Sequence, residues 1–213
     1  MAEELGKIEK PLAENFKTGR KLFFVPLLMS GESLPDEYKK KLEKYWTQVA
    51  EQIADLSLKL GKINRIYHEL VGAEGEEGLK SLGEMNAAGQ AMLETYLKSG
   101  AVIEAVEDAD ILSEFMDWSR CIYIGLQNPR VMEQVYTSYT EASKKRNEAI
   151  VNNLDKTLGA DETGILIMSE NHHVQFPKDI QVFYVAPPAL DDIKRWLRDQ
   201  ESASAGLPGD TED

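Results

Sequence analysis

Cysteine occurs once and histidine three times in the 213 residues. A single thiol can close no internal disulfide and supply no multi-cysteine zinc site, which excludes a secreted disulfide scaffold and a zinc finger. A reducing cytoplasm is the simplest compartment for such a chain. No stretch approaches the roughly eighteen consecutive apolar residues of a spanning helix, and the opening MAEELGKIEKPLAENFK has no signal-peptide core. The expectation is a soluble, cytoplasmic protein with no membrane partner. Basic side chains are also in deficit: 24 Lys and Arg against 37 Asp and Glu leave a formal net charge of -13. Such a surface repels phosphate backbones, and every Lys/Arg cluster is interleaved with acids, so nucleic acid is not an expected partner. Three catalytic signatures are missing as well: GxSxG, GxxxxGK[ST], and GxGxxG after a strand.

What is present supports one domain. Apolar residues make up 42% of the chain, enough for a single core. Residues 1–20 are polar and unpatterned, residues 21–200 carry the periodic elements, and the small acidic residues from 201 to 213 are expected to be a disordered tail. The run from Lys21 to Met29 predicts a buried strand. Tyr38, Leu42, Tyr45, Trp46, Val49, Ile53, Leu56 and Leu60 then recur at three- and four-residue spacing up to Gly61, which predicts a long helix. A second strand is expected over 63–71, closing a βαβ crossover that makes the two strands parallel. Further on, the patterns predict a less regular helix from about Gly78 to Ser99, a short strand over 101–106 and helices over 111–126 and 130–158. Strands over 164–168 and 180–185 and a last helix after Pro187-Pro188 complete the chain. The fold class that follows is α/β, with a mainly parallel sheet, long flanking helices and a helix-rich middle.

In such sheets a ligand lies beyond the carboxyl ends of the strands. The polar residues found there are Glu32, then His68 and Glu69, then Glu107, Asp108 and Asp110, and finally Glu170, Asn171, His172 and His173. Carboxylates and imidazoles together suit Zn²⁺, Mn²⁺ or Fe²⁺, with Glu32, Glu69, His172 and His173 as the ligand candidates, or they act as acid and base without metal. The plainer assignments are a core role for His68, tied to a backbone carbonyl, and helix capping for Asp108. Glu69, ending an apolar strand, calls for a partner such as Arg146 or a metal. Arg146 interrupts the apolar series Ala142, Ile150 on one helix face. It serves either as a buried partner of a carboxylate or as a clamp for a substrate anion, with Asn147 beside it. Cys121, in apolar surroundings without a nearby base, reads as a core thiol.

Gly31-Glu32 after the first strand, Glu69 at the end of the second, and Arg146-Asn147 followed by the strand Gly164 to Met168 and by Ser169, Glu170, Asn171 and His172 form a set. It resembles the α/β group of TraB-type, ChaN-type and erythromycin-esterase proteins, although Leu34 stands where that group has a histidine. The resemblance implies a cleft lined by these positions and a hydrolase-like activity, metal-dependent in some members. The functional expectation is a divergent hydrolase-like protein acting on a small-molecule or peptide ligand. Glu69, His172 and Arg146 are its catalytic candidates, Arg146, Asn147 and Asn171 its substrate-binding candidates, and a divalent metal its cofactor. The competing expectation is a non-catalytic binding or assembly protein, a homo-oligomer through the helices at 35–60 and 130–158 with Tyr45, Trp46, Phe115 and Trp118 as anchors.

Overall fold

A computed structural model describes residues 16 and 18–205. Five parallel strands form one sheet, in the order β3-β2-β4-β1-β5. They are β1 (Arg20–Pro26), β2 (Ile63–His68), β3 (Val102–Ile103), β4 (Thr163–Met168) and β5 (Ile180–Tyr184). Among the described residues the helices are α1 (Asp36–Leu60), α2 (Gly75–Met85), α3 (Ala87–Lys98), α4 (Ala109–Tyr123), α5 (Pro129–Thr157) and α6 (Pro188–Ala205). The α/β class with a parallel sheet is therefore the architecture observed. Among the described residues no helix is long and apolar enough to cross a membrane.

The central strands β4 and β1 are buried along almost their whole length, and apolar beyond their first residues, because helices cover both sheet faces there. Alternation along β1 sends Phe23 and Val25 to one face and Leu22 and Phe24 to the other. On the first face, α1, α3 and α6 seal the core with Val49, Ile53, Leu93 and Ile193. Tyr45 and Trp46, expected as interface anchors, belong to this core, 0% and 4% exposed. Tyr45 also donates its hydroxyl to the carbonyl of Pro26 at 2.6 Å, so these two side chains tie α1 to the sheet and are not free to anchor a partner.

The second face is covered differently. Of the helices, only the C-terminal half of α5 reaches it, through Ile150 and Leu154, with Leu158 just past its end. The N-terminal half of α5 packs with α4 as a helical hairpin, and no residue of α4 is fully buried. Cys121, expected inside the core, is thus only partly covered.

Several boundaries depart from expectation for physical reasons. β3 stops after two residues because the chain then leaves the sheet: Glu104 meets Arg65, and Glu107 turns toward α5. Asn86 divides the irregular middle segment into two helices, its side chain accepting the Gly89 N–H at 2.9 Å as a cap. Asp108 caps α4, accepting from the N–H groups of Asp110 and Ile111 at 3.1 and 3.0 Å. α6 runs to Ala205, so its last turn includes residues 201–205 of the stretch expected as a tail, whereas residues 206–213 lie outside the described residues, as do most of residues 1–20.

Candidate functional site

β2 ends at His68, and the next residues leave the sheet in a tight turn with Leu70 at φ 70. His68 holds that turn. Its Nδ1–H donates to the carbonyl of Glu69 at 2.5 Å, while Nε2 faces the amide of Asn86 at 3.4 Å. Burial pushes the His68 pKa down, outweighing the nearby Glu69, so the ring is neutral and acts as a core strut.

The turn aims Glu69 under α5. Arg146 Nη2 donates to Glu69 Oε1 at 2.9 Å, and the backbone N–H of Ser169, just past β4, donates to Oε2 at 2.7 Å. Glu107 approaches the same guanidinium from the β3 side. It accepts from Arg146 Nε at 3.0 Å, from Nη2, and from the Leu70 N–H at 3.2 Å. Phe115 of α4 covers the guanidinium, its ring centre 4.8 Å from Cζ. All three charged side chains are nearly enclosed: Arg146 7%, Glu69 9% and Glu107 2% exposed. Burial alone would weaken the charged form of Arg146, but Glu107 and then Glu69 overcome it and hold its pKa above the ordinary arginine value. Nε and Nη2 of Arg146 are thereby spent on protein carboxylates, and both oxygens of Glu69 are engaged. Of the two roles open to Arg146, the geometry is that of the buried pair that positions the helix.

Above this floor lies a cavity of about 210 Å³. The turn after β2 supplies Glu69 and Leu70 to it, α5 supplies Tyr139, Ser143, Arg146 and Asn147, and the segment after β4 supplies Ser169, Asn171, His172 and His173. A wider, more open cavity of about 700 Å³ adjoins it and shares Ser143, Asn147 and His173. His172 sits between the rings of Phe24 and Phe176, with centroids 5.0 and 5.5 Å away. Burial lowers its pKa, against the opposing charge of Glu69. The Val174 N–H donates to its Nδ1 at 3.2 Å, which leaves the neutral ring's proton on Nε2. His173 is exposed, and its imidazole has no hydrogen-bond partner among the described residues.

Of the residues singled out from sequence, Glu69, Arg146, Asn147, Asn171, His172 and His173 surround this one cavity. Glu32 does not join them. It lies in the β1–α1 loop at a different cavity, with Glu84 and Met85. Glu170 turns away, accepting from Tyr184 and from Lys194 Nζ. The proposed metal set Glu32, Glu69, His172, His173 is accordingly not assembled, and among the described residues no group of three or more His, Cys, Asp or Glu side chains stands ready to hold a metal. With Glu69 committed to Arg146 and Ser169, this donor set does not fit a divalent ion. Sequence patterns did not point to Tyr139, Ser143 or Phe115 as cleft residues, Phe115 having been expected as an interface anchor. The first two share the face of Asn147 at i, i+4 spacing, a signal readable only once the hydrophilic side of α5 is known to line a cleft. Set against known protein families, curated proteins and solved structures, the chain matches none.

Proposed function

We propose that the protein is a divergent hydrolase-like enzyme that works by acid/base chemistry at the C-terminal edge of β2 and β4, in the cytoplasm. The observation that carries this reading is the meeting of His172, His173, Asn147 and Asn171 round one cavity that opens into a larger one. Enzymes place ligands at this edge of a parallel sheet, and ligand sites combine a recess with a few convergent polar groups.

Each group then has a role suited to its surroundings. Neutral His172 presents Nε2–H and polarises a substrate carbonyl or phosphoryl oxygen as a hydrogen-bond donor. His173 has no competing partner and takes the proton from an attacking water, returning it to the leaving group. Asn147 and Asn171 orient a small polar substrate, the remainder of which occupies the wider cavity. The Glu69–Arg146–Glu107 cluster stays out of the proton transfers. Two carboxylates on one guanidinium leave a net negative floor, which disfavours anionic substrates and favours neutral or cationic esters and amides. The test is a hydrolysis screen of purified protein on neutral esters, amides and phosphoesters. Turnover of a neutral ester or amide is expected, and inertness toward every class would overturn the assignment.

A further inference from the structure

Helix α4 and the first half of α5 project as a hairpin whose apolar surface is left open. Tyr123, Ile124, Val131, Met132 and Tyr136, all at its tip, are 46–87% exposed. At the ~150–250 Å² that a large aromatic side chain can cover, these five present on the order of 600 Å². That is the upper end of what a lone monomer exposes in one patch, about 300–600 Å², and approaches the ~800 Å² per partner of a standard specific interface.

The patch contains both a projection and a recess. Ile122, Leu126, Met132, Val135 and Tyr136 line an apolar cavity of about 390 Å³. Tyr123, next in sequence to one of these lining residues, is 87% exposed. A two-fold interface uses the same patch twice, so it needs a knob and a hole side by side on one surface. Electrostatics point the same way. From Asp117 to Thr140 the only charged residues are Asp117, Arg120, Arg130 and Glu133, net zero in a chain whose net charge is -13, and Arg120 is paired with Asp117 at 2.8 Å. Two copies would repel one another over most of their surface but not here.

We infer that the hairpin tip binds a second copy of this chain, Tyr123 of each protomer entering the apolar cavity of the other, so that two hairpins close a four-helix bundle. The inference is independent of the hydrolytic assignment. Sedimentation equilibrium at tens of micromolar protein should give twice the 23.9 kDa mass of one chain. Tyr123→Glu and Met132→Glu, each at an exposed position, should raise the dimer dissociation constant at least ~30-fold, the effect of losing one hot-spot side chain, with unchanged circular dichroism. Leu58→Glu, at an 86% exposed site on α1, should leave the dimer intact. A wild-type monomer, or a dimer indifferent to both tip substitutions, overturns the inference. A monomer that co-sediments with phosphatidylcholine/phosphatidylglycerol vesicles through the same tip also overturns it, assigning the patch to a membrane surface.

Discussion

Arg146→Met is the sharpest perturbation of the buried cluster, because it keeps much of the side chain's bulk and removes the charge together with its N–H donors. Glu69 and Glu107 would then face one another inside the protein with no cation between them. Breaking a buried ion pair from one side costs about 3–5 kcal/mol, since the surviving charge stays desolvated. The four Arg146 hydrogen bonds to these carboxylates, valued singly as charge-assisted bonds at ~1.5–3 kcal/mol each, would sum higher. The lower range applies here because each carboxylate keeps a backbone donor, Ser169 N–H at 2.7 Å for Glu69 and Leu70 N–H at 3.2 Å for Glu107. For a chain of this size about 2–4 °C of melting temperature accompanies each kcal/mol, so Tm should fall by roughly 6–20 °C. The loss should be largely recovered in the triple variant Glu69→Gln/Glu107→Gln/Arg146→Met, in which the buried charges are gone altogether. Differential scanning calorimetry of the wild type, the single and the triple variant measures both effects. A single variant within about 2 °C of wild type would refute the buried-cluster reasoning, as would a triple variant no more stable than the single.

Stability should also decline on mild acidification. His68 and His172 both have pKa values below the ordinary histidine value of about 6.5 because burial disfavours their charged forms. Above that pH both states of the chain hold these rings neutral; as pH falls through it the unfolded chain takes up protons that the native state refuses, so stability drops. Urea midpoints between pH 8 and 5 follow this, and His68→Gln should flatten the slope. Leu154→Ala opens the core beneath α5, and a cost of about 2–5 kcal/mol is expected in urea denaturation. Asp108→Ala removes the acceptor for two N–H groups at the start of α4 and should cost about 1 kcal/mol by the same assay.

Much of this architecture was legible because it rests on local pattern. The apolar runs of β1 and β4, the heptad-like spacing of α1 and the Asp108 cap each identify their element without tertiary information. Arg146 stood out for the same reason, as a cation inserted into an apolar helical series. Its second partner, Glu107, was less legible, since it looked like one of several acids in a turn. Nothing local says that β3 ends after two residues so that this carboxylate can cross to α5. Glu32 shows the complementary limit. A residue at a strand's C-terminal end is at the correct edge of the sheet, but the sheet has two faces, and the loop after β1 folds toward α2 and α3 while Glu69 turns under α5. The burial of Tyr45 and Trp46 and the exposure of Tyr123 and Tyr136 depend likewise on which helices reach the sheet, and helical periodicity cannot rank those.

The cleft as an acid/base site rests most directly on His173, the imidazole at the mouth of both cavities. Its most direct measurement is kcat/KM for hydrolysis of a neutral ester or amide by the wild type and by His173→Ala. A loss of about 10²–10⁴-fold is expected in the variant, with Tm unchanged because the side chain is exposed. Equal rates in the two proteins would contradict the account.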